Sequence, residues 1–232
     1  MEFNPTGGPR ATQDPPTRIR LSDWPIVTLV IVWGLLVLVG LYLLWRYAAT
    51  PGDAGAPPAN WPTQSAIARD GRPTLVVVAH PLCPCTRASL SELARLLAVC
   101  GDRVDTHVLF IAPAGTDGSW RNSDLLSQAR QIPGVTVHVD TSRREARLLG
   151  AKTSGCCLLY GSDGRLLFQG GLTEARGHEG ESEGRCSLEA LLSGDGPRSD
   201  ATSVFGCPLF ERCPADDPTS GPALTREPPH EY

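Results

Sequence analysis

Neither sign of charge dominates this chain. Its 21 Lys and Arg against 25 Asp and Glu leave a formal net charge of −4, which supplies no electrostatic basis for binding nucleic acid. No internal repeat is present, so a stacked-repeat architecture is excluded. Charged residues are absent from Trp24 to Trp45, and basic residues from Tyr47 to Ala68. Glycine and proline are plentiful instead, with 24 Gly and 21 Pro. They concentrate in residues 1–23, in residues 48–73 and beyond Gly194, where large apolar groups are few. Such stretches cannot build a core and read as arm, linker and loose tail.

At about 1.5 Å per residue the uncharged stretch covers roughly 30 Å, the thickness of a bilayer's hydrocarbon core. Trp24, Tyr42, Trp45 and Tyr47 fall near its ends, where aromatic rings settle at the headgroups. Its apolar core exceeds the about 7 to 15 residues of a cleaved signal peptide, which favours an anchor that is retained. Arg10, Arg18 and Arg20 precede the span and only Arg46 follows it closely. The positive-inside rule then leaves the N-terminus in the cytoplasm and the main domain outside, in the periplasm if the cell has two membranes. Eight cysteines suit that oxidising side. The expected organisation is a disordered cytoplasmic arm (1–23), a transmembrane helix (24–46), a flexible linker (47–72), a folded domain of about 73–194 and a loosely ordered, cysteine-containing tail (195–232).

The most informative stretch is His80-Pro-Leu-Cys-Pro-Cys-Thr86. Thr74-Leu-Val-Val-Val-Ala79 ahead of it has the continuous apolar pattern of a strand buried on both faces. Behind it, Leu90, Leu93 and Leu97 recur at helical spacing. Cys83 and Cys85 therefore stand at a helix N-terminus, where free N–H groups and the helix dipole favour thiolate, the form that attacks disulfides and binds metals.

From Thr74 onward the pattern predicts strand 74–80, helix 86–99, strand 104–111, a helix near 121–131, strand 135–139 and a short helix 142–149. Strands 156–160 and 165–170 follow, joined at Asp163-Gly164, a strong hairpin signal, and a final helix lies around 185–193. This order, with cysteines opening the first helix, resembles the thioredoxin fold over about residues 73–194. It implies an α/β, thioredoxin-like sheet with helices on both faces, preceded by a single transmembrane helix. More narrowly, Gly164-Arg-Leu-Leu-Phe-Gln-Gly-Gly-Leu-Thr173, Arg176-Gly-His-Glu-Gly180 and Val204-Phe-Gly-Cys-Pro-Leu209 resemble the membrane-anchored thioredoxin-like proteins called RedB. Two hallmarks of ordinary thioredoxins are missing: the spacing is Cys-x-Cys where they have Cys-x-x-Cys, and the position of their cis-proline falls near Gly155. A Cys83–Cys85 disulfide would close a very small, strained ring and be labile or oxidising.

Cys83 and Cys85 are the leading redox or metal-binding candidates, although free cysteines also pack as small hydrophobes. Cys156 and Cys157 open a strand and should point to opposite faces, with packing the favoured role; Cys100 and Cys186 read as packing residues. His178, in a polar glycine-rich loop, is a candidate general base toward a thiol or a third ligand beside two thiolates. Cys207 lies in an apolar island of the tail and is a candidate resolving cysteine, a metal ligand, or the partner of Cys213.

Three functions remain open. The first is a membrane-anchored thiol–disulfide oxidoreductase with Cys83, Cys85 and Cys207 as reacting sulfurs, no cofactor, and protein thiols or disulfides as partners. The second is a copper-binding metallochaperone similar to the SCO type, with Cys83, Cys85 and His178 as ligands, although that family spaces its cysteines Cys-x-x-x-Cys; two thiolates and an imidazole suit Cu(I). The third is a redox-inactive thioredoxin-like module that only binds a partner.

Overall fold

β1 (Thr74–Ala79) is buried at every position, as a continuous apolar run requires of a central strand. The computed structural model describes residues 24–112, 119–196 and 198–210, so the arm expected over 1–23 and the end of the tail, with Cys213, lie outside the described residues. The chain divides into two compact units, one through Leu44 and one from Trp45. In the first, helix α1 (Trp24–Ala49) begins; by length and composition it can cross a membrane, a property that a signal sequence shares.

The second unit is built on a five-stranded sheet. β2 (Asp105–Ile111) pairs parallel with β1, and β3 (Val135–Asp140) parallel with β2. β4 (Cys156–Tyr160) runs antiparallel to β1, and β5 (Leu166–Gly170) antiparallel to β4, giving the order β3-β2-β1-β4-β5. Because β1, β2 and β3 step in one direction across the sheet, right-handed crossovers place α2 (Pro84–Cys100) and α3 (Asp124–Gln131) on the same face. Leu90, Leu93 and Leu96 of α2, Leu125 and Leu126 of α3 and Leu188 of α5 (Glu183–Ser193) fill one core with Leu75 and Val77 of β1. The buried leucine stripe thus centres on Leu96, with Leu97 at its margin. Val76 and Val78 face the other way, toward Ala146 of α4 (Arg144–Leu148), Leu149 and Tyr160.

The second core is completed by residues that composition assigns to linker and tail. Ile67, Val204 and Leu209 are buried in it. Gly52 N–H donates to Val204 O at 2.8 Å, Ala56 N–H to Gly150 O at 3.1 Å, and Trp61 N–H to Gly164 O at 2.8 Å. Tyr160 OH donates to Pro58 O at 3.1 Å, with the Trp61 ring edge-on to Tyr160. Within the stretch expected as linker, residues 52–67 are hydrogen-bonded and packed along the domain, as is the beginning of the tail. A few apolar anchors and many backbone hydrogen bonds achieve this, and average composition conceals both.

Glu92 is fully buried where α2 meets α5. Its carboxylate pairs with Arg95 and lies 3.1 Å from Arg185 Nε. It also accepts the Gly180 N–H at 2.8 Å, which ties down the loop that follows β5. Removing one partner from a buried ion pair leaves the other uncompensated, a loss of about 3 kcal/mol. Glu92→Ala is therefore expected to lower the unfolding free energy of the full chain, read from urea denaturation in detergent, by about that much, and Glu92→Gln, which keeps an acceptor for Gly180, by less.

Candidate redox site

Three backbone devices bring Cys83 to the surface end of the sheet. β1 stops at Ala79, Cys83 N–H donates to His80 O at 3.1 Å to close the turn, and Pro84 supplies the first helical residue of α2, a position that suits its fixed φ and missing N–H. Cys83 is consequently the N-cap residue, in extended conformation at φ −88° and ψ 117°. Cys85 falls inside the first helical turn. The two cysteines that look equivalent in sequence are thus placed differently.

The sulfur that meets Cys83 comes from the tail. Cys207 Sγ stands 3.0 Å from Cys83 Sγ. It is held there by antiparallel pairing with the segment before β4: Ser154 N–H donates to Cys207 O at 2.8 Å and Leu209 N–H to Lys152 O at 2.8 Å, with Thr153 opposite Pro208. The Arg176 guanidinium donates to Gly206 O and lies over the Tyr47 ring at 4.9 Å.

No peptide bond is cis among the described residues, and Thr153-Ser154-Gly155 runs where a cis-proline was expected. Gly155 N–H donates to Val78 O at 2.8 Å with φ at +88°, a conformation that favours glycine, and a Cβ there would come 2.9 Å from Ser89 Oγ. Ser154 Oγ accepts the His80 N–H at 2.9 Å and sits 3.0 Å from Thr86 Oγ1. Thr86 donates its proton to His80 O at 3.1 Å, so the Ser154 hydroxyl donates to Thr86. This ring of bonds locks the end of β1, the first turn of α2 and the segment under the tail to one another.

The surroundings divide the three thiols. Burial pushes the Cys83 pKa up, but the Cys207 thiol and the N–H groups of Cys207, Cys85 and Thr86 favour its anion more strongly, and the net shift is downward. Cys85 is raised by burial and by the negative charge of Cys83, against the opposing pull of Arg176. Burial and donation to Cys83 push Cys207 up to about 12, again against Arg176. The outcome is one sulfur shifted toward ionisation beside another that holds its proton more tightly. The His80 imidazole is held below its usual range by burial and by Arg143, and its Nδ1 accepts the Leu82 N–H at 3.2 Å.

The remaining candidates lie apart from this chemistry. Cys156 and Cys157 point to opposite faces, each completely buried in its own core. Burial raises Cys156 to about 12 and Cys157 well above its ordinary value, so both are inert packing thiols. Cys100 is buried and Cys186 half-buried. His178 is exposed, and among the described residues no three His, Cys, Asp or Glu side chains gather in a metal-holding group. Cys83, Cys85 and His178 therefore do not form one. Arg176, Ser154 and Thr86 are site residues that the sequence reading passed over. Arg176 belongs to the same Arg-Gly-His motif that drew attention to His178, and its adjacency to a glycine-rich loop was the available signal.

The comparisons with known proteins bear on the fold. No family model matches the chain, and no curated protein matches it significantly. Among solved structures, an uncharacterized conserved protein from Geobacillus kaustophilus is similar at 18% identity, covering 71% of this chain and 93% of that one with a TM-score of 0.52. A hypothetical protein from Sinorhizobium meliloti is similar at 19% identity, covering 69% and 93% with a TM-score of 0.50. A secreted Mycobacterium tuberculosis disulfide oxidoreductase follows at 14% identity, covering 53% and 82% with a TM-score of 0.38. The strand order, the two parallel crossovers and the closing antiparallel hairpin and helix make the domain thioredoxin-like.

Proposed function

We propose that the chain is a membrane-anchored, extracytoplasmic thiol–disulfide oxidoreductase of the RedB-like kind, with Cys83 as nucleophile and Cys207 as resolving cysteine. One observation carries this reading: the 3.0 Å approach of the Cys83 and Cys207 sulfurs, the first shifted toward ionisation and the second away from it. The Cys83 thiolate attacks one sulfur of a substrate disulfide, forming a mixed disulfide and expelling the other sulfur as thiolate, which takes up a proton. Cys207 loses its proton and attacks the Cys83 sulfur, breaking the mixed disulfide and releasing the second substrate thiol. The substrate gains two electrons, and the chain is left with a Cys83–Cys207 disulfide that an external dithiol reduces. Run in reverse, the same steps oxidise a substrate dithiol.

Helix α1 supports the anchor, and the Arg residues before it the orientation. The RedB-like assignment is supported by the way its three motifs meet. Gly171 N–H of the first donates to Ser203 O beside the third at 3.1 Å, Arg176 of the second holds Gly206 of the third, and Cys207 of the third reaches Cys83.

Reduction of a small disulfide by the full chain in detergent tests the assignment. Cys83→Ser is expected to abolish turnover, Cys207→Ser to stop the cycle at a mixed disulfide on Cys83, and Cys85→Ser to leave turnover in place. Loss of turnover in Cys85→Ser with retention in Cys207→Ser would assign the cycle to the Cys-Pro-Cys pair instead.

Thiolate is the reactive form, so alkylation of Cys83 should rise with pH through its folded-state pKa and level off above it. That midpoint is expected below that of an ordinary thiol, because the Cys207 thiol and the surrounding N–H groups stabilise the anion. Cys207→Ala removes a donor to the anion, worth about 1.5 kcal/mol, and should move the midpoint up by about one unit; Cys207→Ser, which keeps a donor, should recover part of the shift. An unchanged midpoint in Cys207→Ala would show that Cys207 does not stabilise the thiolate.

A further inference from the structure

Cys83 is only 1% exposed, an odd state for a sulfur that must meet a disulfide on another molecule. What stands over it is the tail. Cys207–Leu209 pairs antiparallel with Lys152–Ser154 in a short bridge, with backbone hydrogen bonds on both sides of Pro208, while Val204 O accepts from Gly52 N–H and the Cys207 sulfur is aimed at Cys83. A bound peptide captured by strand addition has this arrangement: main-chain bonds give affinity and alternate side chains give specificity.

The fit is also selective. Gly206 packs so closely that a Cβ would come 1.9 Å from Ser154 O, against backbone that cannot yield. Two residues beyond the cysteine, Leu209 is 3% exposed within the second core, and Val204 and Phe205 on the other side are 0% and 9% exposed. The strand position thus accepts glycine before the cysteine, an apolar residue two after it, and apolar residues further upstream.

We propose that Val204–Leu209 is an internal occupant of the position at which the protein takes its substrate, and that the substrate is an extended, cysteine-bearing peptide segment with glycine immediately before the cysteine. This rests on the oxidoreductase reading above. The tail and the substrate compete for one strand position, so the tail is a strap that shields Cys83 until a matching segment displaces it, and it returns to deliver Cys207 once the mixed disulfide has formed.

The test uses the full chain carrying Cys207→Ser, in detergent, and the synthetic peptide Ser-Val-Phe-Gly-Cys-Pro-Leu-Phe with its cysteine in a disulfide to 2-mercaptoethanol. The Cys83 thiolate attacks the peptide's sulfur, the peptide–mercaptoethanol bond breaks, and mercaptoethanol leaves as thiolate and is protonated. The peptide then stays joined to Cys83. In the trapped complex, amide hydrogen exchange at Leu209 is expected to speed up at least about tenfold as the strap leaves, while Ser154 N–H stays protected because the peptide replaces the strap's acceptor. A peptide with alanine before the cysteine should trap at least about tenfold more slowly, the cost of about one strand hydrogen bond. The proposal is overturned if the strap amides keep their protection in the trapped complex, if the two peptides trap at the same rate, or if hydroxyethyl disulfide reacts with Cys83 and the peptide does not. If Cys83 reacts with none of these disulfides, the oxidoreductase reading itself fails.

Discussion

The 3.0 Å contact between the Cys83 and Cys207 sulfurs, in which Cys207 donates once Cys83 is ionised, is the contact on which the site depends, and it exists only because backbone pairing delivers a distant segment to the tip of α2. An isolated thiol at a helix N-terminus gains from the dipole, but here burial opposes ionisation, and the Cys207 donor tips the balance. The pairing that positions Cys207 depends in turn on the Ser154–Thr86–His80 bonds beneath it. Those bonds depend on a backbone turn at Gly155 that needs no cis-proline. Arg176 adds the other support, gripping Gly206 from a loop that Glu92 ties to α2.

Much of the fold was legible because its signals are local. The all-apolar run of β1, the leucine spacing of α2 and the Asp163-Gly164 turn each follow from residues within a few positions, and the boundaries of β3 and β4 agree with the pattern to within a residue. Cys83 and Cys85 could be placed at the helix N-terminus for the same reason. What sequence left open was non-local. Residues 52–67 and 200–209 read as linker and tail because their glycine and proline content masks isolated anchors such as Ile67 and Leu209, whose surroundings are made far off in the chain: Ser65 and Ala66 bond Glu145, 80 and 79 positions on, and Leu209 N–H bonds Lys152 O. Cys207 could be singled out as a candidate, but its partner could not be chosen, since spacing says nothing about which sulfurs a fold brings together. Arg176 escaped because a histidine two residues on looked more reactive, while the backbone carbonyl that Arg176 binds is invisible in sequence.

The two missing thioredoxin hallmarks acquire a common physical reading. With Cys83 and Cys85 one residue apart, a disulfide between them closes a strained, easily reduced ring, and a second sulfur from elsewhere, Cys207, stands 3.0 Å from Cys83. Without a proline at the segment before β4, that segment keeps the Ser154 N–H as a donor, and Cys207 O takes it. The departures from the familiar motif thus accompany a site in which two sulfurs 124 positions apart in sequence approach to 3.0 Å. Disulfide mapping of the full chain after mild oxidation tests this account most directly. It predicts that non-reducing digestion and mass spectrometry will recover Cys83 linked to Cys207 with Cys85 as a free thiol; a Cys83–Cys85 linkage, or Cys207 joined to Cys213, would contradict it.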